Sequence, residues 1–426
     1  MYQVKKEEIK KDYVDVGDKL PFLKAFPLSL QHMFAMFGAS VLVPMLLGVD
    51  PATVLLFNGI GTILYIVITK AGIPSYLGSS FAFIAPATAI IGSQGYGYAL
   101  GGFIVSGAIF SIIGLIVKKT GTGWINVIFP PAAMGAILAV MGLELGPVAA
   151  NMAGLVVEKG AVINTTSVAV SLTTLGVAII GSIMFRGFMK VIPVLVSVVA
   201  GYSLSVILGV VNFDAVINAP WFALPTFTAP KFSIIAIITI IPAVFVVLAE
   251  HIGHLVVTSN LVGRKLEENP GLHRSLLGDG LSTMLSGCFG SVPTTTYGEN
   301  IGVMSITKVY SVWVIGGAGV LSIILSVSGK LTEIIRTIPT PVMGGISILL
   351  FGTIAVAGLR ILIEQKVDYS KSKNLILTAI VMVVGLSGIE LNIGVPLKGM
   401  GLATIVAILL NLVFIIIEKL NLSNDK

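Results

Sequence analysis

Long uncharged apolar runs follow one another from residue 27 to residue 417 and leave this chain little choice of solvent. About 20 apolar residues cross a bilayer as a helix. Read between charged or turn-rich breaks, the runs lie at 27–47, 51–69, 76–93, 97–117, 128–148, 166–185 and 191–212. A second set lies at 233–258, 276–290, 294–307, 309–328, 341–358, 374–389 and 400–417. Only 11% of the residues are charged, against about 25% in soluble domains, so most of the surface is built for lipid. The pattern specifies an all-α polytopic membrane protein of fourteen segments.

The basic residues orient it. With the N-terminus in the cytoplasm, 21 of the 26 lysines and arginines fall on the cytoplasmic side. The outer loops hold only Lys159, Lys231, Lys330, Arg336 and Lys398. That asymmetry is the positive-inside rule, and a wrong span count would scramble it. Both termini are therefore expected in the cytoplasm. The same distribution accounts for the net charge of +6 without nucleic acid. The first 25 residues carry six lysines and five acids and no apolar core of a cleavable signal, so the first run is expected to insert and stay. A single cysteine, Cys288, leaves no intrachain disulfide framework.

The two sets of seven resemble each other. L-Q-H around His32 matches A-E-H around His251 at an offset of 219, and residues 73–78 match 292–297 at the same offset. F-P-P-A-A-M-G-A-I at 129–137 matches I-P-T-P-V-M-G-G-I at 338–346 at 209, and 107–113 matches 318–324 at 211. Seven is odd, so the second copy enters from the opposite side. Such a 7+7 inverted repeat is the architecture of secondary transporters, with substrate near the midplane where the repeats meet.

Segments three and ten do not read as full spans. They follow Pro74 and Pro293 and open with Ser75, Ser79 and Ser80 or with Thr294, Thr295 and Thr296. Polar non-helical backbone at membrane depth survives only inside protein or beside a water-filled cavity. Each is expected to be a short extended stretch and then a half-helix, whose free N–H groups can hold a carbonyl oxygen.

The ionisable residues within the runs are Glu144, Glu250, Asp279 and Glu299, with His32, His251 and His254. Such groups are costly in a bilayer unless paired or wet. Glu250 and His254 are four apart and share a helix face, whereas His251 points elsewhere. Glu299 directly follows Tyr297 and Gly298 in the interrupted tenth segment. Glu250 and Glu299 are the binding candidates, although a buried carboxylate can also simply cap a helix or bridge neighbours. Glu144 and Asp279, near span ends, read as structural, and His32 and His251 as packing or hydrogen-bonding residues.

Several strings carry no function. H-I-G-H at 251–254 lies in an apolar helix with no nucleotide-binding strand before it. Its histidine spacing lacks the i, i+4 geometry of a zinc helix, so no metal is expected. No nucleophile or metal cluster suggests an enzyme, and the N-T-T sequon at Asn164 is uninformative.

The strings E-N-I-G-V-M-S-I-T-K (Glu299–Lys308), Gln31–His32, S-S-F-A-F at 79–83 and A-E-H-I-G-H-L at 249–255 are specific. Through them the chain, from about residue 20 to 418, resembles the nucleobase–ascorbate (nucleobase–cation symporter 2) family, on its bacterial uracil-transporting branch. The resemblance implies a core domain (26–120 and 231–330) and a gate domain (121–230 and 331–418), between cytoplasmic tails at 1–25 and 419–426. It implies that Glu250 and Glu299 bind the base through their carboxylates and that Phe81 and Gly298 offer backbone N–H groups. Ala39, Phe81 and Tyr297 would pack around the ring, while His254 would hydrogen-bond Glu250 and share in proton coupling. It also implies a homodimer and no cofactor beyond the coupling proton. One departure is Phe351, in a gate-domain span where close relatives carry tyrosine. Xanthine and urate members carry glutamine at the position of Glu299, so glutamate here favours a pyrimidine.

The residue chemistry is compatible. Uracil offers two N–H donors and two carbonyl acceptors on one flat ring; carboxylates, half-helix N–H groups and aromatic faces answer them. The expected cycle is uracil import with protons by alternating access, with Glu250 protonated, or sharing a proton with His254, while the loaded carrier reorients. Sodium is the alternative driver. The rivals are a xanthine or purine symporter and an anion exchanger or channel of the same 7+7 build; acids at 250 and 299 would repel an anion.

Overall fold

The computed structural model describes residues 13–156, 162–392 and 396–424. The first twelve residues of the expected tail, Lys159 and Lys426 lie outside them. The first half of the chain forms α1 (Phe22–Ala35), α2 (Phe37–Leu47), α3 (Pro51–Ile68), β1 (Leu77–Ser79), a 3-10 turn at Phe81–Phe83, α4 (Ile84–Ser93) and α5 (Tyr96–Thr120). It continues through α6 (Gly123–Ile128), α7 (Pro131–Glu144), α8 (Gly146–Met152), α9 (Thr165–Met184) and α10 (Pro193–Ile207). The second half forms α11 (Asp214–Asn218), α12 (Ile234–Val262), α13 (Leu272–Phe289), β2 (Thr294–Thr296), α14 (Gly298–Thr307), α15 (Val312–Ser326) and α16 (Gly329–Arg336). It ends with α17 (Thr340–Glu364), α18 (Ser372–Leu386), β3 (Glu390–Asn392), β4 (Pro396–Lys398) and α19 (Gly399–Lys419).

The chain is mostly helical, and eight helical stretches among the described residues are long and apolar enough to cross a bilayer. Four shorter apolar helices join them, at Phe81–Ser93, Pro193–Ile207, Val312–Ser326 and Ser372–Leu386. By composition α13 and α14 fall in neither group: α13 carries His273, Arg274 and Asp279, and α14 opens with Gly298, Glu299 and Asn300. The run at 27–47 is two helices broken at Met36, and that at 128–148 is divided between α7 and α8. Local sequence sets several starts. Asp50 caps α3 by accepting from Ala52 N–H at 3.1 Å, with Pro51 just inside. Asn164, the residue of the sequon, caps α9 by accepting from Ser167 N–H at 3.2 Å.

Helix packing exchanges the halves. α3 packs on α15 as α13 packs on α5; α9 packs on α10 as α18 packs on α19; α9 and α17 meet as α18 and α7 do. The first correspondence has a matched cause in glycine. A Cβ on Gly59 would strike the Gly319 carbonyl, and one on Gly107 would strike the Gly280 carbonyl, so both crossings bring backbones together.

Two linkers cross between these sets of helices, one through α11 and one through α16, and they are laced together. Ala223 N–H donates to Val327 O at 2.9 Å, and Lys330 Nζ donates to Val216 O and Ile217 O at 2.8 and 2.7 Å. Asp50 pins both to the start of α3: it accepts from Thr226 N–H and Oγ1, each at 2.9 Å, and pairs with Arg336 at 3.1 Å. Burial pushes this carboxyl up, but the hydrogen bonds from Thr226 and Ala52 and the charge of Arg336 outweigh it and leave it below its usual range. A depressed carboxyl stabilises the fold above its unfolded pKa of about 3.9 and loses that contribution only as pH falls through the lower folded value. The melting-temperature difference between the parent and Asp50→Asn should therefore stay flat from about pH 5 to 8 and shrink below about pH 4. A difference that vanished near pH 6 would remove Asp50 as the pin.

Candidate functional site

β1 and β2 pair antiparallel, Leu77 opposite Thr296, Gly78 opposite Thr295 and Ser79 opposite Thr294, and Ser80 N–H donates to Pro293 O at 2.9 Å. All six strand residues are buried. Each strand feeds a half-helix, which starts at Phe81 in one copy and at Gly298 in the other. First-turn N–H groups have no partner within their own helix. The ribbon therefore aims two sets of donors from the interrupted segments. At Gly298 an added Cβ would meet the His254 ring, with Nε2 at 3.3 Å, so the imidazole stands against the start of α14.

The acids stand beside these helix starts. Glu299 is in the first turn of α14, where the helix dipole favours negative charge. It is exposed although its neighbours Tyr297 and Asn300 are buried. An exposed carboxylate within an intramembrane segment belongs to a wet cleft rather than to lipid. Glu250 is half-buried on α12, in electrostatic reach of Glu299 first and then of Asp279. No hydrogen bond or ion pair to Glu250 or Glu299 from another residue is found among the described residues, so the two acids share no cation. The resemblance implied a hydrogen bond from His254 to Glu250, but the structure has none; His254 Nδ1 lies 3.2 Å from Thr296 Oγ1 instead. The shared face of α12 brings the two side chains to one region, but β2 lies across from the imidazole and takes its hydrogen bond.

Aromatic rings close one side. Phe81 meets Tyr297 at 6.0 Å between centroids and Phe351 of α17 edge-on at 6.1 Å and 88°. Tyr297 lies back along the ribbon over Gly78 and its hydroxyl donates to Ser79 O. Ala39 is buried on α2, beside Gly38, where α2 approaches Val194 of α10 and Leu350 of α17. Phe351 is buried and presents a ring edge without a hydroxyl, so this wall packs and does not hydrogen-bond. Together these groups can accept two N–H bonds, donate to carbonyl oxygens and pack against a flat ring. That is the complement of a small planar imide.

Behind the site, His32, His251, Glu144 and Asp279 take the structural and hydrogen-bonding parts expected of them, with partners that the sequence did not name. His251 is buried, with Nδ1 at 2.9 Å from Asp279 Oδ2 and Nε2 at 2.7 Å from Ser275 Oγ, which is in turn 2.5 Å from Tyr65 OH. Asn300 Nδ2 donates to His32 O at 3.2 Å and lies 3.1 Å from His32 Nδ1. Glu144 accepts from Met400 N–H at 2.7 Å and so caps α19. These partners are hundreds of residues apart in some cases, and their only sequence signal is a polar residue in an apolar run. A cavity of about 650 Å³ opens elsewhere, between Ile84–Ala89 of α4 with Thr239 of α12 and the Leu143–Val148 and Leu397–Gly401 stretches. It holds none of the three residues Glu250, His254 and Glu299, and its lining is mostly apolar.

The Permease family matches residues 23–393. A uracil permease of Paenibacillus larvae is 58% identical over 416 residues, covering 97% of this chain and 99% of its own length. The uracil permease of Escherichia coli strain K12 is 57% identical, covering 96% and 95%, and that of Bacillus subtilis strain 168 is 44% identical, covering 90% and 91%. Among solved structures, the murine Slc26a9 anion transporter in its inward-facing state superposes with a TM-score of 0.71 at 11% identity, covering 98% of this chain and 70% of that one. The transmembrane domain of the cyanobacterial bicarbonate transporter BicA gives 0.62 at 16%, covering 93% and 98%. Those two likenesses concern the fold alone.

Proposed function

This multi-pass membrane protein belongs to the Permease family, and from that premise we propose that it is a secondary carrier importing uracil together with protons. The observation that carries the reading is the pair of unpaired acids, Glu250 and Glu299, beside two half-helix starts and an aromatic wall. Uracil's N–H groups are donated to the two carboxylates. Its carbonyl oxygens accept from the N–H groups of Phe81 and Gly298, and Tyr297 and Phe81 pack on its faces.

Fourteen crossings, counting α13 and α14, form an inverted repeat with both termini in the cytoplasm of the inner membrane. The segments 26–120 and 231–330 move as a core that holds uracil. The segments 121–230 and 331–418 are the gate against which the core rocks, with Phe351 as a gate residue at Phe81. A proton on Glu250, or shared with His254, removes the charge that would otherwise oppose reorientation of the loaded core. The fold shared with anion transporters favours no anion here, because two acids with no cation bonded to them among the described residues repel one.

Sealed liposomes holding the purified protein test this reading. Radiolabelled uracil should accumulate when the interior is more alkaline than the medium, and a protonophore should abolish the accumulation. Xanthine should compete poorly, and an inward sodium gradient should not substitute. Uptake of xanthine in place of uracil, or accumulation driven by sodium alone, would overturn the substrate or the coupling ion respectively.

A further inference from the structure

A ribbon of two strands has two open edges, and at membrane depth each outward N–H and C=O needs a partner. In antiparallel pairs the residues alternate between bonding each other and pointing outward. The Ser80–Pro293 bond makes Gly78–Thr295 the mutually bonded pair, so Leu77 and Thr294 point outward at opposite edges. Ser79 and Thr296 point outward as well, and Ser79 O accepts from the Tyr297 hydroxyl; Leu77 and Thr294 each meet a buried threonine from the helix that precedes their strand. Leu77 N–H donates to Thr62 Oγ1 of α3 at 2.9 Å, and the Leu77 carbonyl lies 3.4 Å from the same oxygen. Thr294 N–H donates to Thr283 Oγ1 of α13 at 3.2 Å, and that hydroxyl donates back to Thr294 O at 3.1 Å. Thr62 meanwhile donates within its own helix to Asn58 O at 2.8 Å.

We infer that Thr62 and Thr283 are a matched pair of positioning residues, whose hydroxyls stand in for the strands the ribbon lacks and so hold the Phe81 and Gly298 N–H groups on the substrate. The correspondence follows the repeat: α3 and α13 occupy the same place in the two copies, and each clamp sits four residues before a half-helix start. Neither threonine reaches the cleft; Thr62 and Thr283 are 0% and 5% exposed. Their effect on the substrate passes through the register of the ribbon. A one-residue slip would turn Ser79 and Thr294 to opposite faces, and the donors that follow would point away from the acids. The inference rests on the uracil reading for its ligand, but not for its geometry.

The test uses full-length protein in liposomes with Thr62→Val, Thr283→Val and the corresponding serine and alanine variants. Valine keeps the volume and removes the hydroxyl. Each valine variant should raise the KM for uracil about tenfold or more while the maximal rate changes far less. Serine should restore the parental KM, and alanine, which leaves room for a water, should fall between. An unchanged KM in the valine variants overturns the inference, as does a serine variant no better than valine. If valine prevents folding, equal KM values for alanine and serine overturn it instead. Hydrogen exchange without uracil separates this inference from the functional reading. Residues 77–81 and 294–298 should exchange faster in the hydroxyl-free variants (valine, or alanine where valine does not fold) even if the parent protein transports no uracil, and unchanged exchange overturns the clamp in either case.

Discussion

Glu250→Gln should leave a protein that exchanges uracil across the membrane but no longer concentrates it. Glutamine keeps the shape and one acceptor oxygen at the half-buried position on α12, so the site can still close on the ring. What it removes is the only change of charge that a carboxylate offers as a proton comes and goes. One pH unit across the membrane is worth about 1.4 kcal/mol per proton, hence about tenfold accumulation for one-proton symport. Counterflow of labelled against unlabelled uracil should persist in the variant, while accumulation against a pH gradient falls to an internal-to-external ratio of one. A Glu250→Gln protein that still concentrated uracil in a protonophore-sensitive manner would take the coupling role away from this residue. His254→Ala should give a milder defect, because its hydrogen bond goes to Thr296 and not to the acid.

Glu299→Gln is expected to act on affinity. Glu299 lies in the first turn of α14, and no other described residue bonds to it, so the base would supply its partner. A hydrogen bond to a charged acceptor contributes about 1.5–3 kcal/mol, which corresponds to a loss of about 10- to 150-fold in affinity. Glutamine also brings an N–H₂ group that opposes a ring N–H unless the amide turns its oxygen inward. Equilibrium binding of uracil in detergent should show the loss directly, with the melting temperature of the unliganded protein unchanged. Affinity within threefold of the parent would mean that Glu299 only decorates the helix start.

Much of this molecule was legible because lipid allows so few solutions. Apolar run length specifies helices, and the runs at 51–69, 97–117, 166–185 and 400–417 lie within a few residues of α3, α5, α9 and α19. The interruptions were legible for the opposite reason, since Ser79–Ser80 and Thr294–Thr296 are too polar for lipid-facing helix and had to be enclosed. Elsewhere periodicity misled. Met36 breaks the first run into two helices, and nothing in an apolar string marks where that occurs.

The site divides in the same way. Sequence alone singled out Glu250 and Glu299, because an acid in an apolar run must be used or paired, and it set His254 on the face of Glu250 through helical spacing. It also held the two halves of the repeat, which dictate that α3 and α13 play equivalent parts. Only the tertiary structure could decide which way His254 points, that Asp279 belongs to His251, and that Thr62 and Thr283 complete the edges of the ribbon. Hydroxyl and imidazole groups choose partners by distance and direction across helices that are far apart in the chain. One-dimensional spacing carries no information about those crossings, whereas burial of an apolar run depends on composition and needs no partner to be named.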